Sequence, residues 1–311
     1  MALNLLAVLQ ISGAAFLTWA LVKLARWLWI YLWLPARFNG ESLAKRYGKG
    51  SWAFITGASD GLGKAFAREL AHCGFNLILA ARTQSKLDRL QSELQELGVQ
   101  VRTIALDLSD SAPHTYQALA AAAEDVDLSV LINCVGTTVH RRYADVPTAT
   151  LRRLLAVNVS TTAIVTHTLL PGLLRHSSST GRRAALLNVG SIVGRFYWPG
   201  TQIYGACKAF VDHLTVPLAF EYSDQLDVLS FQPTVMATAM AAGTEPAAIT
   251  IPAELAASAA LSHLGHTLSS HGHWRHGLMA ALVTILPARV RNAVLLSGAL
   301  EMGRVEMAKG E

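Results

Sequence analysis

Residues 52–70 read WAFITGASDGLGKAFAREL. A short apolar run ends on a threonine, glycines follow at 57, 61 and 63, and an amphipathic run begins at once. The apolar run has the length and composition of a strand buried on both faces, and the run after Gly63 has the helical period. Glycine lets the chain turn tightly between them. The helix N-terminus then lies open beside the turn, with free N–H groups and a positive end. Such a corner suits an anion, and after the first strand of a β-α-β unit it suits a dinucleotide pyrophosphate. The spacing here is GxxxGxG rather than GxGxxG.

The alternation continues along the chain. Further strands are expected at 75–81, 99–108, 127–136, 184–191 and 226–233. Helices are expected at 62–74, 85–98, 115–125, 148–176 and 201–222, the last with a kink at Pro217. Regular β-α alternation predicts an α/β fold, a Rossmann-type doubly wound parallel sheet covered by helices on both faces. With 311 residues, 52% of them hydrophobic, the chain can build one such domain plus extra segments. We place that domain at 50–235, a substrate loop and remaining core at 236–277, and a tail at 278–311. The tail is apolar but broken by Pro287, Arg289 and Arg291, so it is expected to lie on a membrane rather than cross it.

The N-terminal 34 residues stand apart. Leu3 to Val22 carries no charge, and at about 1.5 Å per residue it spans roughly 30 Å, the hydrocarbon thickness of a bilayer. A Trp- and Tyr-rich stretch follows, the composition of a membrane interface. Lys23, Arg26, Arg37, Lys45, Arg46 and Lys49 come next, with only Glu41 against them. The positive-inside rule places the rest of the chain in the cytosol, where the Asn158-Val159-Ser160 sequon would not be glycosylated.

Basic residues exceed acidic ones by 26 − 21 = 5, too few to argue nucleic-acid binding. Cys73, Cys134 and Cys207 are scattered, which predicts reduced thiols and no metal site. His263, His266, His271, His273 and His276 crowd together without HExxH or carboxylate partners, and read as a polar or interfacial loop.

Where an NAD site wants an acid after the second strand, this chain has Ala80, Ala81 and then Arg82. An arginine there can pair with a 2′-phosphate, which points to NADP(H). Asp107, after the third strand, is expected near the adenine. Ser191 ends the fifth strand, Tyr204 and Lys208 sit one turn apart on the next helix, and Asn158 sits within LLAVNVSTT.

Together these features resemble the short-chain dehydrogenase/reductase family over roughly residues 50–235. The resemblance implies a catalytic set of Asn158, Ser191, Tyr204 and Lys208. It also implies cofactor contacts from Gly57, Ser59, Asp60, Gly61, Leu62, Gly63, Arg82, Asp107, Asn133, Gly136, Tyr204, Lys208, Pro233, Val235 and Thr238. Tyr204 would be the acid/base, Ser191 would hold the substrate carbonyl, and Asn158 would hold a water that relays protons. A lysine charge about 4 Å away, at an effective dielectric near 20, is worth about 4 kcal/mol. That would bring the phenol from about 10 down toward neutrality. Cys134 and Cys207 stand where the family usually has Asn and Ser.

The anchor, the turn ASDGLGKAFA and the segment QPTVMATAM are similar to the branch of very-long-chain 3-oxoacyl-CoA reductases and 17β-hydroxysteroid dehydrogenases. Pro233, Thr238 and Met240 match that branch, while Ala239 replaces its usual lysine. The first activity implied is NADPH-dependent reduction of a 3-oxoacyl-CoA in fatty-acid elongation. Ketosteroid reduction is the alternative, and a non-catalytic membrane scaffold the third. The implied partners are a long-chain acyl-CoA or steroid, the lipid bilayer, other elongation enzymes and a second copy of the chain. The implied place is the endoplasmic reticulum membrane, although the C-terminus EMAKGE carries no retention signal of the KDEL type.

Overall fold

The computed structural model describes residues 2–110, 112–238, 250–287, 289–293 and 295. Met240, Ala239 and most of the tail lie outside them. In chain order the elements are α1 (Ala2–Leu28), α2 (Leu34–Arg37), α3 (Gly40–Tyr47), β1 (Trp52–Thr56), α4 (Gly61–His72), β2 (Asn76–Ala81) and α5 (Gln84–Gln95). There follow β3 (Val101–Ala105), α6 (Pro113–Glu124), β4 (Leu128–Asn133), α7 (Thr148–Leu155), α8 (Thr161–Thr180), β5 (Ala184–Val189) and α9 (Gln202–Glu221). The chain continues through β6 (Leu226–Phe231), β7 (Met236–Ala237), β8 (Ile251–Pro252), α10 (Ala253–His263), β9 (Ser269–Ser270) and α11 (Trp274–Ile285).

One parallel sheet has the order β3-β2-β1-β4-β5-β6-β9. The strand order reverses between β1 and β4, which opens a crevice at their C-terminal ends. Strands β1, β4, β5 and β6 are buried at every position, so their apolar runs cannot alternate. One core lies under α3, α4, α5 and α10, with Phe66 edge-on to Phe231. The other lies under α6, α8 and α9 around Phe54, Ile78 and Leu186.

The structure refines three expectations. The run 148–176 is helical throughout, as α7 and α8 joined by a π-helical turn at Ala156–Ser160. A seventh strand, β9, extends the sheet beyond the six expected. The histidine cluster is only in part a loop: His266, His271 and His273 lie between α10 and α11, but His263 closes α10 and is buried, and His276 is buried in α11. Pro217 lies inside α9, which runs on past it to Glu221.

The N-terminal segment is also more than an anchor with a loose interfacial end. Residues Ala7–Arg37 are long and apolar enough to cross a membrane, and the apolar part of that stretch is not buried against the protein. The Thr148–Thr180 stretch passes the same test of length, but it is partly buried and its α8 half packs on the sheet as a core helix. Beyond Leu28 the backbone widens into a π turn at Trp29–Trp33, where Leu34 N–H reaches the Trp29 carbonyl. Ile30 and Leu34 are buried against the folded domain. Tyr31 packs edge-on to His263, and Trp29 to His266.

Candidate active site

The glycine corner forms as the sequence predicts. Gly57 and Gly61 have φ of +67° and +49°, a region that side chains with a Cβ rarely adopt. A Cβ on Gly63 would fall 2.2 Å from the Gly57 carbonyl oxygen, so α4 can pack against the turn only with glycine there. Asp60 caps α4 by accepting the Gly61 N–H at 2.8 Å, and Lys86 of α5 pairs with its other oxygen at 2.6 Å. The Lys86 bond, helped by the Gly61 N–H, holds the Asp60 carboxyl below its usual range. Ser59 is half-buried in the turn, and Leu62 puts its side chain into the core. The side chains thus turn away or are neutralised, while the N–H groups of the helix start remain for an anion.

The neighbouring strands complete the groove. Thr56 Oγ1 accepts the N–H groups of Cys134 and Val135 at 3.1 and 3.4 Å, tying the end of β4 to β1. Arg82 stands exposed after β2. Asp107 accepts the Ser109 N–H and Oγ–H, which lower its pKa, and the charges of Arg82 and Arg153 lower it further. Asn133 is held inside the sheet: its amide donates to Thr166 Oγ1 and Asn188 Oδ1 at 2.9 and 2.8 Å, while its Oδ1 has no hydrogen-bond partner among the described residues. Gly136 faces the groove. A Cβ there would lie 3.2 Å from Asn158 Oδ1 and 3.4 Å from Lys208 Nζ.

Four expected residues therefore meet at one point. Asn158 sits in the π turn between α7 and α8, a backbone irregularity common at functional sites. Its amide donates to the Thr137 and Leu154 carbonyls at 2.9 and 3.0 Å and accepts the Thr137 N–H at 3.2 Å. Lys208 Nζ donates to the Val189 carbonyl at 2.8 Å and lies 5.7 Å from the Tyr204 ring centre. Ser191 Oγ sits between the Pro233 carbonyl and the Val193 N–H.

The electrostatics correct one expectation. Burial pushes the Tyr204 phenol up to about 12, and the Ser191 hydrogen bond pulls the other way. Burial pushes Lys208 down to about 8. Desolvation dominates at both groups, and the Lys208 ammonium donates its hydrogen bond to the Val189 carbonyl. Tyr204 is accordingly protonated across the physiological range, the form required of a proton donor.

The segment after β6 closes the far side. The Pro233 carbonyl accepts the Ile192 N–H at 3.1 Å. His276 of α11 accepts the Thr234 N–H on Nδ1 at 3.4 Å and donates from Nε2 to the Val235 carbonyl at 3.2 Å. His271 bonds the Gln232 carbonyl at 2.8 Å. Thr238 lies over the glycine corner, where a Cβ on Gly61 would meet it at 3.1 Å. Lys86, Thr56, His271 and His276 were not anticipated as positioning residues. For the two histidines, their crowding was the only signal in the sequence.

The short chain dehydrogenase family model matches residues 51–248. The chain is a short-chain dehydrogenase/reductase. It is 36% identical to a very-long-chain 3-oxoacyl-CoA reductase of Caenorhabditis elegans over 259 residues, covering 81% of this chain and 80% of that one. A 7β-hydroxysteroid dehydrogenase structure superimposes with a TM-score of 0.72 at 25% identity, covering 81% of this chain and 98% of that one. A short-chain dehydrogenase from Sphingobium yanoikuyae in complex with NADPH gives 0.61 at 29% identity, covering 68% and 84%. This dehydrogenase belongs to a family of NAD(P)-dependent oxidoreductases. The residues present fit such a group: a glycine corner at a helix N-terminus, and a Gly136 whose missing Cβ leaves room beside Asn158 Oδ1 and the buried Lys208 Nζ.

Proposed function

We propose that this dehydrogenase reduces the ketone of a 3-oxoacyl-CoA with NADPH, at the endoplasmic reticulum membrane and with the site facing the cytosol. The observation that carries the chemistry is the meeting of Asn158, Ser191, Tyr204 and Lys208 around Gly136. The substrate class is supported by the C. elegans relative, similar over four-fifths of both chains, and by the apolar helix that suits a lipid substrate.

Arg82 would take the 2′-phosphate, and the α4 N-terminus with Gly57, Gly61 and Gly63 the pyrophosphate. The bound nicotinamide supplies the hydride. Ser191 Oγ–H donates to the ketone oxygen and stabilises the charge that grows there. Tyr204 gives its proton to that oxygen. Lys208, charged below about 8, then stands near the phenolate it leaves. Asn158 holds the segment that follows β4 in place through Thr137, and its π turn provides a route for a relaying water.

Purified enzyme is expected to oxidise NADPH with a long-chain 3-oxoacyl-CoA faster than with a 17-ketosteroid. The reverse ranking would support a ketosteroid reductase, which the 7β-hydroxysteroid dehydrogenase likeness favours. Failure to bind NADPH would support the scaffold. Tyr204→Phe should abolish turnover and leave NADPH binding intact. Arg82→Asp should weaken NADPH far more than NADH, and an unchanged preference removes Arg82 from the cofactor site.

A further inference from the structure

We propose that Arg141 and Arg142, with the exposed ring of Tyr143, form the rim that takes the phosphorylated nucleotide end of a coenzyme A thioester. The inference rests on the acyl-CoA reading above and names the residues that would distinguish a CoA thioester from other ketones.

The loop 192–201 leaves Ser191 and borders the substrate side of the site. It is held at two places of opposite character. Near its middle, Phe196 lies under the Arg291 guanidinium at 5.7 Å, six residues past the end of α11. α11 itself leaves Leu278, Leu282 and Ile285 exposed, Ile285 by 79%. Near its end, the Gly200 carbonyl accepts the Arg141 N–H at 2.9 Å. This second bond places the turn 141–145 at the other end of the same loop.

Arg141 and Arg142 are exposed, and neither side chain has a carboxylate partner among the described residues. Asp145, on the same turn, meets Arg142 only through its own N–H and the Arg142 carbonyl. Arg46, Arg68, Arg102, Arg183 and Arg195 pair with acids, while Arg152 and Arg153 on α7 are exposed without a salt-bridge partner among the described residues, as Arg141 and Arg142 are. The backbone leading to the pair is anchored, because Asn158 holds Thr137 by both its N–H and its carbonyl. Tyr143 beside them is 56% exposed.

Guanidinium groups bind phosphates in a bidentate manner, and an exposed aromatic ring offers a stacking face for a base. A CoA thioester carries several phosphate charges and an adenine at one end and an acyl chain at the other. Bound across loop 192–201, it would put the anionic end on the arginines and the chain toward α11. A steroid or a free ketone has nothing for the arginines.

The test compares two thioesters of one 3-oxoacyl chain, the CoA ester and the N-acetylcysteamine ester, which lacks the phosphates and base. In the Arg141→Glu/Arg142→Glu variant, KM for the CoA ester should rise about tenfold or more with kcat held, and KM for the N-acetylcysteamine ester should stay within about twofold. That second ester also reports that the variant is folded. Added salt should raise KM for the CoA ester in the wild type and much less in the variant. If the variant reduces both esters with wild-type KM, the arginine rim is overturned while the acyl-CoA reading stands. If the wild type reduces neither ester but does reduce a ketosteroid, that reading falls, and this proposal with it.

Discussion

The molecule contains two π-helical turns among its described residues, and they do different work. One, Ala156–Ser160, lies in the long helix beside the site, and the other, Trp29–Trp33, lies where the anchor meets the folded domain. Both widen the backbone so that a carbonyl takes a side-chain donor. In the first, Leu154 and Thr137 carbonyls accept the Asn158 amide. In the second, Pro35 has no N–H to return to the turn before it. The Ile30 carbonyl accepts His263 Nε2–H at 2.6 Å instead. Since a carbonyl can only accept, His263 Nδ1 must accept from Ser270 Oγ–H, and Ser270 Oγ in turn accepts the Gly272 N–H. Every polar atom in that chain is matched. The first turn holds Asn158 beside Gly136 and Thr137, and the second welds the N-terminal apolar helix to the sheet edge at β9.

Substitutions should therefore separate the two turns. Asn158→Ala releases the segment 136–138 and should lower kcat about 10²–10³-fold, beyond a stability loss of about 1–3 kcal/mol from the unpaired Thr137 and Leu154 groups. His263→Ala leaves the Ile30 carbonyl buried and unpaired and removes a packed ring, a cost of roughly 2–4 kcal/mol. Its melting temperature should fall by about 5–10 °C, with kcat at about 25 °C nearly unchanged. If Asn158→Ala leaves kcat as nearly unchanged as His263→Ala does, both turns are structural and the distinction fails.

The same contrast decided what was legible in the sequence. The strand-glycine-helix corner and the parallel sheet follow from local pattern, and the Ser191, Tyr204 and Lys208 set from the resemblance to the family. Buried strands read as apolar runs, and a tight turn needs glycine at fixed offsets. The anchor weld depends on a pair 233 residues apart, Ile30 and His263, which no local pattern joins. Lys86 reaching Asp60 and His276 holding Thr234 and Val235 are long-range for the same reason. The Tyr204 phenol was misjudged because its shift depends chiefly on burial, which spacing does not reveal.

Two buried bases allow pH to sharpen the comparison. Lys208 titrates near 8 and His263 near 4, both lowered chiefly by burial. Reduction needs Lys208 charged and Tyr204 protonated. The kcat/KM profile should be flat below about 7 and fall up to about tenfold per pH unit above about 8. His263 acts on the opposite side. Its folded pKa of about 4 lies below the unfolded 6.5, so the unfolded chain binds more protons between those values. Stability is full above 6.5 and is lost as pH falls toward 4, by up to about 3 kcal/mol. In His263→Phe that acid dependence should shrink while the alkaline fall in activity remains. An unchanged acid limb would assign it to other groups.

The smallest expected effect is at Pro35. Pro35→Ala restores an N–H that can bond within the helix, so the π turn is free to close to an α-helical register and the Ile30 carbonyl no longer depends on His263. Gain of an internal hydrogen bond and loss of the weld nearly offset each other, which predicts a stability change within about 1 kcal/mol. The change should appear in coupling rather than in stability. In the wild type, His263→Ala exposes an unmet carbonyl; in the Pro35→Ala background the same substitution should cost less by about 1 kcal/mol, a gap a double-mutant cycle resolves. Equal costs in both backgrounds would mean that proline does not create the demand that His263 meets.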